Sequence, residues 1–226
     1  MKSKRELLLN GNITNLLFKF SAPAVIGMVT GALYNIVDTV FVGRGVGSLA
    51  IAALSIVLPI QLIMIGIGTM IGVGSASIIS RALGRNRKDI ARNVFGNAVV
   101  LNFLISAFCM VFIYIFMDKF LVFFGASAQV LPYARDYTRI VLAGFIFLSF
   151  SINSNNYIRA EGNPRAAMHV MTIGAIINII LDPIFIFVFG MGIKGAAIAT
   201  VIAQVISSMY VIFYILFGGS IFRLNV

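Results

Sequence analysis

The sequence predicts an all-α integral membrane protein, a six-transmembrane-helix bundle, and three observations carry that prediction. Of the 226 residues, 60% are hydrophobic and only 11% are charged, with a mean hydropathy of +1.03. A soluble domain of similar size carries roughly a quarter charged residues. Apolar runs of about 18 residues or more, enough to cross a bilayer core of about 30 Å as helices, recur along almost the whole chain. The basic residues fall between those runs and at the N-terminus, where membrane topology places them, and form no continuous patch for nucleic acid. A soluble enzyme is excluded on composition. The spans hold no Ser/His or metal-ligand cluster to suggest an intramembrane enzyme, so the chain is expected not to be one.

Each span is bounded by recognisable residues. Leu7-Leu8-Leu9 is too short for a signal-peptide core, so the first long apolar segment is a retained helix. Helix 1 is expected over 14–42, with Thr14 as its N-cap, and it ends at the turn Gly43-Arg44-Gly45-Val46-Gly47-Ser48. Helix 2, over 49–83, carries Pro59, Gly66, Gly68, Gly72 and Gly74, residues that membrane helices tolerate. A hydrophilic segment, 81–92, sets Arg81, Arg85, Arg87, Lys88 and Arg92 against Asp89 alone. Helix 3 is expected over 93–117, followed by a loop with a short amphipathic turn over 118–131. Helix 4 (132–158) runs into the turn RAEGNPR at 159–165. Helix 5 (166–189) meets a glycine turn at 190–195, and helix 6 spans 196–217.

Counting charges across these spans orients the chain. With a cytoplasmic N-terminus, the inner side holds Lys2, Lys4, Arg5, Lys19, Arg81, Arg85, Arg87, Lys88, Arg92, Arg159, Arg165 and Arg223. The outer side holds only Arg44, Lys119, Arg135, Arg139 and Lys194. The positive-inside rule therefore places the N-terminus in the cytoplasm of a cell whose inner membrane the chain crosses, and six spans return the C-terminus to that side. No internal repeat is visible among the six helices. A transporter built from two similar halves would place its repeat beyond Val226, so the chain is expected to be one half of a larger carrier.

Only two carboxylates fall deep inside apolar spans, Asp38 in helix 1 and Asp182 in helix 5. An ionised group at the bilayer centre costs about 2.5–3.5 kcal/mol on insertion scales, and such residues are functional by default. Neither has a Lys or Arg within a turn on its own helix; Arg135 or Arg139 of helix 4 are the alternative, structural partners. On helix 1, Pro23, Gly27, Gly31, Tyr34/Asn35 and Asp38 recur every three or four residues and share one stripe. Helix 5 aligns Gly174, Asn178 and Asp182 likewise, and Pro183 leaves the Ile179 carbonyl without its helical donor. Thr200 near the outer start of helix 6 and Tyr137 near that of helix 4 fall at the same depth. Two carboxylates, an amide, a hydroxyl and a phenol suit a proton or a small alkali cation, and a close carboxylate pair exchanges protons as a unit.

Other polar residues leave alternatives open. Asn153, Asn155 and Asn156 either line a cavity or bond across helices. His169 lies at the inner mouth of helix 5, an interfacial position. Cys109, the single cysteine, reads as a small apolar residue, and the glycines of helix 2 lack the Lys-Ser/Thr ending of a phosphate loop. Ten Met and twenty Phe suit an adaptable apolar cavity, although most face lipid or neighbouring helices.

The runs PAVIGMVTGALYNIVDTVFVGRG, ALGRNRKDIARN, RAEGNPRAAM, NIILDPIFIF and GIKGAAIATVIAQ, in that order, resemble the multidrug and toxic compound extrusion (MATE) transporters over 12–217. The resemblance implies one lobe, the N-terminal one, of a twelve-helix two-lobe MATE-like transporter. In such a protein a Na⁺ or H⁺ gradient drives export of bulky, often cationic organic compounds, and no cofactor is required. It also implies a cation site at Asp38, Asn178, Asp182 and Thr200, with Tyr137 hydrogen-bonded nearby and the Ala196 carbonyl as a further ligand. Tyr34, Asn35, Asn153 and Asn155 are the expected cavity-lining residues. The implied partners are drug-like substrates, the lipid bilayer, and a C-terminal six-helix lobe or a second copy of the chain. A flippase for lipid-linked precursors is the alternative within the wider superfamily, and it would call for a cationic cavity. A non-transporting fragment or scaffold is the alternative from another class. The topology has a direct check: a cysteine at position 86, in a Cys109→Ala background, should react with an impermeant maleimide only when the cytoplasmic face is opened. Labelling from outside would reverse the orientation.

Overall fold

The computed structural model describes residues 12–222. Lys2, Lys4, Arg5 and Arg223, which contribute to the charge asymmetry above, lie outside the described residues. Among the described residues there are six long apolar helices: α1 (Ile13–Gly45), α2 (Ser48–Gly84), α3 (Lys88–Phe123), α4 (Leu131–Ala160), α5 (Pro164–Pro183) and α6 (Ile193–Phe217). A π-helical turn, Ile184–Val188, prolongs α5. Helices are the form that lets an isolated span satisfy its own backbone in lipid.

Several boundaries differ from the sequence expectation for local reasons. The α1 N-cap is Asn12, not Thr14; its side chain accepts from the Thr14 N–H at 3.0 Å. The hydrophilic segment shrinks to a tight turn in which Asn86 takes φ +60°, a left-handed conformation that Asn tolerates better than most residues. Helix α3 then starts at Lys88, with Asp89 in its first turn where the helix dipole favours an anion. It also outlasts its expected end. Cys109, Ile113, Met117 and Leu121 continue one buried stripe, and Asp118 is held in a two-pronged ion pair by Arg135 Nε and Nη2 at 2.8 and 2.7 Å. The expected loop over 118–131 is thereby reduced to 124–130.

Helix α4 is the hub. It packs on α2, α3, α5 and α6, and it is the most buried of the spans. Small residues permit the closest crossings: a side chain at Gly72 of α2 would collide with Asn153 of α4, and one at Gly68 would meet Ser149 Oγ at 2.8 Å. Polar staples lie inside these crossings. Ser149 Oγ and Asn153 Nδ2 both donate to Asn102 Oδ1 of α3, at 2.7 and 2.6 Å, and Asn155 Nδ2 donates to the Ala167 carbonyl of α5 at 2.6 Å. Helix α1 is different. It packs mainly on α5 and touches its sequence neighbour α2 little, chiefly near their shared turn, where Gly43 meets Ile51.

At the basic end the chain leaving α6 is fastened to the α4–α5 turn. Glu161, 4% exposed, accepts from the Tyr214 hydroxyl, from Ser220 Oγ at 2.8 Å and from the Ile221 N–H at 3.2 Å. Arg92 Nε adds a bond to the Ile221 carbonyl at 2.9 Å. From sequence, RAEGNPR is a turn only; nothing in its spacing announces a buried carboxylate whose donors lie more than fifty residues away. Replacing Glu161 with Ala removes an ionised acceptor and orphans its donors, a cost of about 2–4 kcal/mol. Glu161→Ala should therefore lower the thermal midpoint of the detergent-solubilised protein clearly more than Glu161→Gln, which keeps one acceptor oxygen.

Candidate functional site

The α1–α5 contact brings Asp38 and Asp182 together. Their carboxyl groups sit at hydrogen-bonding range of each other, with Asp182 fully buried and Asp38 7% exposed. Asn178, one turn before Asp182, lies beside it and donates through Nδ2 to Thr200 Oγ1 of α6 at 3.3 Å. The phenols of Tyr34 (α1) and Tyr137 (α4) both lie beside Thr200. Five side chains from four separate spans, together with Tyr34, thus meet at one level. Ala196 is fully buried a turn before Thr200; inside the regular α6 helix its carbonyl points along the ladder toward residue 200.

Local sequence explains how α5 delivers Asp182. Pro183 has no N–H to donate and its ring crowds the preceding turn. The helix adjusts by widening immediately after it into the π-turn Ile184–Val188. Such turns are frequent at functional sites. On the other side of the contact, a side chain at Gly27 would meet Met171 Sδ at 3.0 Å, so the small-residue stripe of α1 is what lets α5 approach.

The chemistry of the cluster is lopsided. Asp38 Oδ1, both oxygens of Asp182 and Asn178 Oδ1 are buried and receive no hydrogen bond among the described residues. An ionised carboxylate only accepts hydrogen bonds, so two facing carboxylates are reconciled by a proton or a cation, not by each other. The alternative of a structural ion pair with helix 4 does not arise: Arg135 pairs with Asp118, and Arg139 is exposed.

Beneath this cluster, toward the basic end, a cavity of about 430 Å³ lies between α1, α2, α4, α5 and α6, with both α1 and α2 contributing to its wall. Tyr34, Asn178 and Thr200 form its upper wall, and Asn155, Asn156 and Arg159 belong to its α4 side. Two of the expected lining residues are elsewhere. Asn35 faces outward and bonds its own helix at the Gly31 carbonyl, 2.9 Å away. Asn153 turns into the α2–α4 crossing instead and bonds Asn102. Met28 and Met171 line the cavity, but no Phe among the described residues does. Gln61, beside Tyr137, and Gln204 and Ser207, in the cavity wall, were missed. A glutamine inside an apolar span was the available signal for the first two.

Comparisons with known proteins agree with this architecture. The MatE family model matches residues 23–184. The multidrug export protein MepA of Staphylococcus aureus is 31% identical over 211 residues, covering 92% of this chain and 46% of that protein. An FAD transporter of Shewanella oneidensis is 31% identical over 207 residues, covering 90% and 46%. An outward-facing multidrug resistance MATE transporter superimposes with a TM-score of 0.91 at 29% identity, over 100% of this chain and 50% of that one. The chain spans about half the length of the curated relatives it matches. A six-helix membrane bundle, a family model matching most of its length and relatives that are transporters over the same span lead to one statement: this chain belongs to the MATE family of transporters.

Proposed function

We propose that this chain acts as the N-terminal lobe of a cation-coupled multidrug exporter in the inner membrane, oriented with its N-terminus in the cytoplasm. The observation that carries the reading is the set of buried acceptor oxygens without a donor, Asp38 Oδ1, both oxygens of Asp182 and Asn178 Oδ1, closed by Thr200 and Tyr137. Sodium or a proton would supply the positive charge that those buried oxygens lack, with the Ala196 carbonyl as a further sodium ligand. The cluster adjoins the cavity through Tyr34, Asn178 and Thr200, so cation entry and substrate binding compete for one region. Helix α1 links the two by bending or straightening at Pro23 and its glycines. A membrane potential of 100 mV supplies about 2.3 kcal/mol per charge moved, so one or two ions suffice to drive accumulation. A flippase for lipid-linked precursors is less well supported, because the deepest charges are acidic.

Two tests follow. In the complete two-lobe transporter, Asp38→Asn keeps the shape of the side chain and removes its charge. Gradient-driven efflux should fall at least tenfold while membrane insertion is unchanged; normal efflux by that variant would place coupling at another site. Substrate sites of two-repeat transporters lie at the repeat interface, so the 226-residue chain alone should insert into liposomes, stay helical and move no drug. Adding a second lobe, or assembling two copies, should restore transport. Transport by a demonstrably monomeric chain would show it to be a complete carrier.

A further inference from the structure

A second polar group lies apart from both the cation cluster and the cavity, at the basic end of the α5–α6 contact. There His169 Nδ1 and the Tyr210 hydroxyl are 3.2 Å apart. Arg165 stands one turn before His169 on the same face of α5. Arg165 and His169 are exposed, and Tyr210 is partly buried. Donors outnumber acceptors in this group. A neutral imidazole carries one N–H and a phenol one O–H, and their mutual bond consumes only one of the two. Whichever tautomer holds, either His169 Nε2–H or the Tyr210 O–H is left over. Arg165 adds a guanidinium with five N–H donors and no acceptor. It forms no ion pair among the described residues. The carboxylate nearest in sequence, Glu161, is committed to Tyr214, Ser220 and the Ile221 N–H.

Apolar surface frames these donors on both helices. Ile176 and Ile180 continue the exposed stripe of Arg165 and His169 along α5, away from the basic end. On α6, Phe213 and Phe217 follow Tyr210 toward the basic end, both exposed, with ring centroids 5.2 Å apart. His169 stands five residues into α5, roughly 8 Å at the rise of an α-helix. That distance is comparable with the headgroup layer, about 5–8 Å on each side of the hydrocarbon core. We infer that Arg165, His169 and Tyr210 bind the phosphate of an anionic phospholipid of the cytoplasmic leaflet, with an acyl chain along Ile176 and Ile180. The guanidinium and the leftover donor match phosphate oxygens. The group offers no carboxylate to the ammonium or choline of a zwitterionic lipid, so it selects headgroups of net negative charge. The inference takes from the proposed function only the orientation, which the labelling of position 86 tests separately.

Basic and aromatic residues also anchor spans at the interface without selecting a lipid, and the test separates anchoring from recognition. Native mass spectrometry of the detergent-solubilised chain measures binding of dioleoyl-phosphatidylglycerol and of dioleoyl-phosphatidylcholine, which share their acyl chains. The wild-type chain should prefer phosphatidylglycerol. Arg165→Gln should weaken that lipid about tenfold, as expected for a lost charge-assisted contact, and His169→Ala should weaken it severalfold. Arg85→Gln, which removes an exposed cation from the α2–α3 turn at the same end, should leave it within about twofold. Equal losses for Arg85→Gln and Arg165→Gln, or no preference between the two lipids, would reduce the group to diffuse charge and overturn the site. Displacement of the lipid by an excess of inorganic phosphate would make it a site for the free anion instead. Loss of the preference in the complete two-lobe transporter would assign this face to the second lobe, and the lipid site would fall.

Discussion

Two carboxyl groups buried against each other inside a membrane bundle are the constraint on which the rest of this lobe depends. Burial takes Asp182 wholly and Asp38 almost wholly out of solvent, and the oxygens around them outnumber the donors. Such a pair survives only in a frame that is stable without it. The frame comes from the contact of α1 with α5, where glycines on one helix admit a methionine of the other, and from Pro183, whose missing N–H sends α5 into a π-turn directly after the acid.

Helix α4 supplies the stiffness. Lipid gives no hydrophobic drive for helix association, so close approach and interhelical hydrogen bonds take its place. Asn102, Ser149 and Asn153 form one such buried group between α3 and α4, and Asn155 ties α4 to α5. Glu161 does the same at the basic end, where it gathers the α4–α5 turn and the chain leaving α6. Helix α1 is fastened to neither. It rests on α5 and presents a broad apolar face outward.

The commitment of Glu161 also shapes the cavity. Its engagement with Tyr214, Ser220 and the Ile221 N–H leaves Arg159 as the one charged side chain of the cavity wall among the described residues.

Sequence alone determined the class, the six spans and the pair Asp38 and Asp182, because the bilayer imposes length, apolarity and rarity of charge on each helix separately. The stripe of small residues and the Asp-Pro step were legible for the same reason: they are periodic within one helix. Tertiary structure decided which polar residues meet. Asn35 and Asn153 resemble Asn155 in composition, yet one faces outward, one staples α3 to α4, and only Asn155 reaches the cavity. Glu161, Gln204 and Arg159 acquire their surroundings from residues on other helices. Periodicity reports the face of a single helix, whereas a partner depends on how helices rotate and cross, and that is settled by packing among all six.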